Sequence, residues 1–329
     1  MACVKNNFCI KNFNEGLKAT QHPEEKRTYS LLVPCYNAEK YIGCFLKNIE
    51  SLSRTFDEVI FYDDASIDHT YELLTRSGYL VIKGAVNMGA GYSRNQLAQA
   101  AKGDYIHFHD IDDLLAPDYL LKTAKIAEDT GVDVVLCNVD WFDETREKIL
   151  ISWKYSNQQI NQNSVAYTIS NPIGGINGLY KKSKFKETGG FNEYYRIWED
   201  ADLHVQLAAQ QASFYILEEV LSYSVRHNLS ASIDQDYGWQ ARLFFLQHYA
   251  DLFIFQSVQH AVGRQAQVAA SNLVIYKRFK EAQLALNLSE KCGVKVPDNG
   301  NFIWKIFKFF LPKSIRIKLR LVQLKNAFN

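Results

Sequence analysis

The stretch Tyr105-Ile106-His107-Phe108-His109-Asp110-Ile111-Asp112-Asp113 runs an apolar strand directly into three carboxylates within four residues. Acids so crowded repel one another unless protons or a cation neutralise them. Mg2+ or Mn2+, held by one or two carboxylates with phosphate oxygens and water completing its shell, would do so. The plain alternative is a solvated acidic turn whose Asp113 caps the next helix. The position of the turn in the fold decides between the two.

The surrounding sequence sets that position. Residues 29–33 form a short apolar run ending at Pro34, and an amphipathic helix follows with Tyr41, Phe45, Ile49 and Leu52 on one face. A second strand at 59–62 ends in Asp63 and Asp64, and Ser66-Ile67-Asp68 offers N-cap chemistry for another helix. A third strand at 79–82 precedes a helix at 89–101. After the strand at 105–108, Pro117 opens a helix to about 129, and a fifth strand spans 132–138. Strands alternating with helices predict right-handed βαβ units, hence an α/β fold with a Rossmann-like, mostly parallel sheet flanked by helices. Every strand C-terminus then lies along one edge, where such sheets bind ligands. At that edge the metal reading of the Asp110–Asp113 turn is the stronger one.

Other residues gather at the same edge. A carboxylate of Asp63 or Asp64 can accept hydrogen bonds from a base N–H or from ribose hydroxyls. Ser66 or Asp68 already suffices for capping, so these two acids are spare. In Pro34-Cys35-Tyr36-Asn37, Tyr36 can lie against a pyrimidine and Asn37 can cap the following helix. Asn87-Met88-Gly89-Ala90-Gly91-Tyr92-Ser93-Arg94-Asn95 is glycine-rich before a helix, but Arg94 stands where a dinucleotide fingerprint needs its third glycine. An arginine in the first turns of a helix suits a diphosphate or sugar instead. Trp198-Glu199-Asp200-Ala201-Asp202 starts a helix, where acids are ordinary dipole partners. His227 reads locally as a satisfied loop residue.

The bulk properties agree. A chain of 329 residues, 47% apolar and 13% aromatic, builds a sizeable core, and a net charge of +1 supplies no field to recruit nucleic acid. Of its 37 basic and 36 acidic residues, seven basic and no acidic ones lie from Phe302 onward, leaving about −6 on the rest. The six cysteines (Cys3, Cys9, Cys35, Cys44, Cys137, Cys292) show neither zinc-site nor disulfide spacing, as expected in a reducing cytosol. Neither a secretory signal nor a run of roughly 18 apolar residues occurs, so a cytoplasmic location is expected. Residues 141–197 read as loop-rich and irregular, with the run Asn171-Pro172-Ile173-Gly174-Gly175-Ile176-Asn177-Gly178. Strands are expected at 214–217 and 220–225, and helices at 199–211 and through 237–291. In 302–326 aromatics and cations mix without an acid. This favours an amphipathic contact with anionic lipid, peripheral on the inner face of the membrane, over a helix packed on the domain.

Taken in order, these motifs resemble the inverting glycosyltransferases of family 2 with the GT-A fold, over roughly residues 29–230. The resemblance rests on Val33-Pro34-Cys35-Tyr36-Asn37, Asp63-Asp64-Ala65-Ser66-Ile67-Asp68, Asn87-Met88-Gly89 through Arg94-Asn95, Gly103-Asp104 into the Asp cluster, Gly189-Gly190-Phe191-Asn192-Glu193 and Glu199-Asp200. It implies an extension at 1–28, a transferase domain at 29–235 with a nucleotide-sugar half (29–138) and an acceptor half (139–235), and a helical region at 236–329. It also implies roles. Asp64 with Asp63 would hold the base, with Pro34 and Tyr36 around it. Asn87, Arg94, Asp110 and Asp113 would line the nucleotide-sugar. Asp112 would be the principal metal contact, with His227 closing the Mn2+ or Mg2+ site. Trp198 and Glu199 would touch the acceptor, and Asp200 would be the catalytic base. The implied reaction moves a sugar from a nucleoside-diphosphate donor, expected to be a UDP-sugar, to a hydroxyl of a glycan or lipid-linked acceptor in bacterial surface-polysaccharide assembly. The sequence departs from the family pattern at His109, Val225 and Ala65. The rival readings are a sugar nucleotidyltransferase, whose basic loop after strand one is missing here, and a non-catalytic nucleotide-sugar-binding module, which would have lost acids that this chain keeps.

Overall fold

The computed structural model describes residues 27–227, 234–295 and 312–327. In chain order the elements are β1 (Tyr29–Cys35), α1 (Glu39–Glu50), β2 (Glu58–Asp63), α2 (Thr70–Arg76), β3 (Leu80–Lys83), α3 (Ala90–Ala100), β4 (Tyr105–Phe108), β5 (Leu114–Leu115) and α4 (Tyr119–Thr130). There follow β6 (Val134–Phe142), β7 (Ile149–Trp153), α5 (Asn157–Gln162), α6 (Ser164–Ser170), β8 (Gly178–Lys181), α7 (Lys182–Glu187), α8 (Glu199–Ala209) and β9 (Phe214–Val225). Four helices close the chain: α9 (Gln235–Leu252), α10 (Gln256–Ile275), α11 (Phe279–Lys291) and α12 (Lys313–Ala327).

The central sheet has the order β3-β2-β1-β4-β8-β6-β9-β5, with β7 on the flank of β6. The first four strands are parallel, as the alternation predicts. Beyond β4 the sheet is mixed: β8 runs antiparallel to both β4 and β6, β6 and β9 are parallel, and β5 and β7 pair antiparallel. The region expected to be irregular supplies that reversal: a turn at Asp143–Lys148 folds β7 back on β6, and β8 runs in the same direction as β7.

The apolar runs are buried on both faces, as parallel central strands require. Along β1, Leu31 and Val33 point into one core with Phe45, Ile49, Phe61 and Leu120, while Leu32 points into the other with Leu97, Phe108, Tyr180 and Leu203. A third core unites α9, α10 and α11 with Ile169 of α6 and with Ala201 and Val205 of α8. The C-terminal helices therefore pack on the same helix that begins with Glu199 and Asp200.

Several expected boundaries move. Helix α4 starts two residues after Pro117, whose carbonyl instead accepts from Ser53 N at 2.7 Å. The two expected strands near 214–225 form one strand, β9, with a register irregularity opposite Cys137–Val139. The extension at 1–26 and the aromatic half of the basic tail (302–311) lie outside the described residues. The remainder of the tail, α12, buries Ile317 and Leu324 against the helical core. No helix among the described residues is long and apolar enough to cross a membrane.

Close approach of the β1 and β4 ends depends on Gly103, whose N–H donates to Ser30 Oγ at 2.9 Å. A Cβ there would stand 2.8 Å from Ser30 N and 2.9 Å from Tyr105 O, both backbone atoms. Gly103→Ala should therefore lower the unfolding free energy by about 2 kcal/mol in urea titration. Gly43→Ala, with open space around an exposed position inside α1, should raise it by about 0.5–1 kcal/mol.

Candidate active site

The turns after β1 and β2 lock together. Asn37 takes a left-handed φ of 48°, and its Oδ1 accepts from Ile67 N at 2.9 Å rather than capping α1. The start of α1 is capped from the neighbouring turn: Thr70 Oγ1 accepts from Ala38 N (2.7 Å) and Asp68 Oδ2 from Glu39 N (3.2 Å). Asp64 spends both carboxylate oxygens on the loop before α3, accepting from Met88 N at 2.9 Å and Gly89 N at 2.7 Å. Asp63 is buried, and its Oδ2 has no hydrogen-bond partner among the described residues. Of the two acids expected to hold a base, Asp63 thus keeps a free oxygen and Asp64 shapes the loop that carries Asn87. Tyr36 is half-exposed at this edge, next to Pro34.

The three acids after β4 each meet a different partner. Asp110 Oδ1 accepts from Arg94 Nη2 at 2.7 Å, Asp112 Oδ2 lies 2.5 Å from His227 Nε2, and Asp113 Oδ1 accepts from Val225 N at 2.7 Å. Asp113 does not cap α4; buried, it ties the acidic turn to the end of β9. Burial, then the charge of Asp110, pushes the Asp112 carboxyl above its ordinary range, against the pull of His227. Burial and then the charges of Asp112 and Asp110 push Asp113 up as well. Among the described residues no group of three or more His, Cys, Asp or Glu is arranged to hold a metal ion. Asp112 and His227 present a two-donor pair, one hard oxygen and one imidazole nitrogen.

Arg94 joins this turn to α8. While its Nη2 holds Asp110, its Nη1 donates to Glu199 Oε1 at 2.8 Å, so the guanidinium is a buried bridge between the two carboxylates. Burial works against its charge, but Asp110 and Glu199 outweigh that and hold its pKa up. Burial, then the charge of Asp200, pushes Glu199 up to about 7, with Arg94 pulling the other way. Burial also raises Asp200, again against Arg94. Asp200 Oδ2 accepts from Gly175 N at 3.1 Å, and Trp198 enters α8 with a left-handed φ of 76°. Residues from β2, β4, α3, α8 and β9 thus converge on one sheet edge.

Residues 30–189 match the family model described as Glycosyl transferase family 2. An uncharacterized glycosyltransferase of Haemophilus influenzae is 27% identical over 277 residues, 80% of this chain and 87% of the relative. The segment 30–189 is a glycosyl transferase family 2 domain. A poly(ribitol-phosphate) beta-glucosyltransferase of Bacillus spizizenii is 23% identical over 229 residues, 59% of this chain and 36% of that relative. Among solved structures, S. aureus TarS 1–349 in complex with UDP superposes with a TM-score of 0.55 at 18% identity, over 84% of this chain and 94% of that one. Mannosyltransferase PcManGT from Pyrobaculum calidifontis, in complex with GDP-Man and Mn2+, gives a TM-score of 0.56 at 18% identity, over 93% and 88%. At such identities the likeness is one of fold, and the fold is GT-A.

The sequence of this glycosyltransferase marked its glycine-rich run without assigning it a place. Gly174 and Gly175 pass directly beside Asp200: a Cβ on Gly174 would stand 3.7 Å from Asp200 Oδ2 and 3.9 Å from Trp153. Equally unanticipated is a buried layer under the acidic turn, where His107 Nδ1 lies 2.8 Å from Gly178 O and 2.9 Å from Tyr119 OH, and His107 Nε2 lies 3.3 Å from His109 Nδ1. Burial lowers His107 well below the usual imidazole range, His109 to about 3 and His204 to about 4. A histidine depressed in the folded state takes up its proton first in the unfolded chain. Its stabilising contribution is therefore present above the ordinary imidazole pKa of about 6.5 and is lost as pH falls from there toward the folded value. Between about pH 7 and pH 5, wild type should lose about 2 kcal/mol more unfolding free energy than His109→Phe, as read by urea titration at both pH values.

Proposed function

We propose that this glycosyltransferase moves a sugar from a nucleoside-diphosphate sugar to a hydroxyl of a glycan or lipid-linked acceptor, by single displacement with inversion, in surface-polysaccharide assembly. The observation that carries the reading is the Arg94 bridge. It sets Glu199 and Asp200 of α8 beside the acidic turn after β4, so a carboxylate lies next to the strand edge where the donor would sit.

Asp200 is the base in this reading. A raised carboxyl accepts a proton better than an ordinary one. As the acceptor oxygen attacks the anomeric carbon it gives its proton to Asp200, and the bond from that carbon to the diphosphate oxygen breaks. The Gly175 N–H fixes one oxygen of Asp200 in place. Asp63, with its free Oδ2, and the half-exposed Tyr36 would meet the base. Asp112 and His227 fit a divalent ion, Mn2+ or Mg2+: His227 is buried and Asp112 partly so, the pair supplies oxygen and nitrogen donors, and its carboxyl is driven toward protonation by its surroundings. Such an ion would neutralise charge on the diphosphate. The ligands of the solved neighbours, UDP and UDP-GlcNAc for TarS and GDP-Man with Mn2+ for the mannosyltransferase, are consistent with a nucleoside-diphosphate-sugar donor. The poly(ribitol-phosphate) relative is consistent with a cell-surface polymer as acceptor. With Ile317 and Leu324 buried, α12 carries Lys318 outward, which suits contact with anionic lipid near a lipid-linked acceptor.

A panel of UDP-glucose, UDP-N-acetylglucosamine and GDP-mannose, scored for nucleotide release with Mn2+ or with chelator, tests the donor. Asp200→Asn should lower turnover by about 10^2-fold or more while the donor still binds in calorimetry; retained turnover would remove Asp200 as base. Asp112→Ala should bring donor affinity down to the value that wild type shows with chelator. Affinity that is the same in both proteins, with and without chelator, refutes the metal assignment.

A further inference from the structure

Arg242 of α9 is the largest fully buried side chain, at 1% exposure, and among the described residues no carboxylate pairs with it. Its Nη2 donates to Ile169 O at 2.6 Å and weakly to Gln265 Oε1 at 3.4 Å, while Nη1 has no partner. Burial lowers its pKa to about 9. A cation buried this way is expensive, and apolar replacements of buried ions are often neutral or stabilising, so folding alone is a poor account of it.

What the guanidinium does touch is the residue before the acids. Arg242 Cζ lies 4.6 Å from the centre of the Trp198 ring and 4.7 Å from that of Phe245. The same helix accepts the Trp198 indole N–H at Gly238 O (3.0 Å), and Tyr249 OH donates to Asp202 Oδ1 at 2.5 Å. Helix α9 therefore grips the first turn of α8 at Trp198 from two sides and at Asp202 from a third. Trp198 needs that grip, because a non-glycine residue at φ 76° is strained and persists only where its surroundings hold it. Released, the backbone would relax toward ordinary φ and swing Glu199 away from Arg94 and Asp200 away from Gly175 N.

We propose that Arg242 is a positioning residue: by clamping the Trp198 indole onto α9 it holds the strained turn that aims Glu199 and Asp200 into the active site. The proposal rests on reading Asp200 as the base, and it makes the C-terminal helices part of the catalytic machinery.

The test compares wild type with Arg242→Met, Arg242→Lys, Trp198→Ala and, as control, Asp200→Asn. Three readouts serve: nucleotide release from the donor panel, UDP affinity with Mn2+ by calorimetry, and backbone amide exchange at Gly175. Arg242→Met should lose at least tenfold in kcat and exchange Gly175 N–H at least tenfold faster, with UDP Kd within twofold of wild type and Tm not lowered. Arg242→Lys, which keeps the cation, should recover most of both losses. Trp198→Ala, which removes the ring but keeps a Cβ and so the strain of the left-handed φ, should reproduce the Met variant and covers the case in which that variant does not fold. Wild-type kcat and Gly175 exchange in Arg242→Met or Trp198→Ala would overturn the proposal, as would losses of kcat, UDP affinity and Tm that travel together. Gly175 exchange reports the clamp even without a productive donor. If Asp200→Asn still turns over, the base reading falls; if it is inactive while Arg242→Met turns over normally, only the positioning role falls.

Discussion

A single guanidinium organises the chemistry of this molecule. Arg94 sits buried on α3 with Asp110 on one arm and Glu199 on the other. Without it Asp110 and the buried Glu199, from distant parts of the chain, would lack the cation that pairs them. With it, the turn after β4 and the first turn of α8 are held at a fixed distance. Everything proposed for Asp200 depends on that spacing, since Asp200 follows Glu199 directly and is aimed by the same turn.

The opposite wall is built by a different means. Asp113 turns away from the cleft and uses its charge to hold the N–H of Val225, which brings the end of β9 beside the acidic turn and places His227 against Asp112. Asp64 does the corresponding work for the loop before α3. Acids that look interchangeable in the sequence are therefore used differently: Asp64 and Asp113 hold backbone N–H groups of neighbouring loops, Asp112 faces His227, and Asp63 keeps an oxygen without a partner among the described residues.

That division explains what could be read from residue order alone. Apolar runs that end in acids placed Asp63, Asp64 and Asp110–Asp113 on one edge because strand direction follows from crossover handedness, a local rule. The partners of those acids were not legible, because they come from far along the chain: Glu199 reaches Arg94 across 105 residues and Val225 reaches Asp113 across 112. Asn37 illustrates the same limit at short range. Its type and position suit a cap for α1, yet the cap comes from Asp68 and Thr70 because two adjacent strand ends bring their turns together. The reversed strand β8 was missed for a related reason: its run is only four residues long and sits among glycines, so no periodicity distinguishes it from the loop around it.

The charge balance of the site constrains how a donor can enter. Asp110, Asp112, Asp113, Glu199 and Asp200 lie close enough to perturb one another, and Arg94 and His227 oppose them. Burial and mutual repulsion drive Asp112, Asp113, Glu199 and Asp200 toward protonation, which is how a site rich in acids relieves itself when empty. A nucleoside diphosphate is itself anionic, so its arrival would deepen the imbalance unless positive charge came with it. A divalent ion, which Asp112 and His227 would hold, would supply that positive charge and favour the ionised Asp112 carboxyl. The Asp200 carboxyl is raised by burial and by the charge of Asp110 against the pull of Arg94, so neutralising Asp112 would leave it its raised proton affinity, the property a base for the acceptor hydroxyl requires.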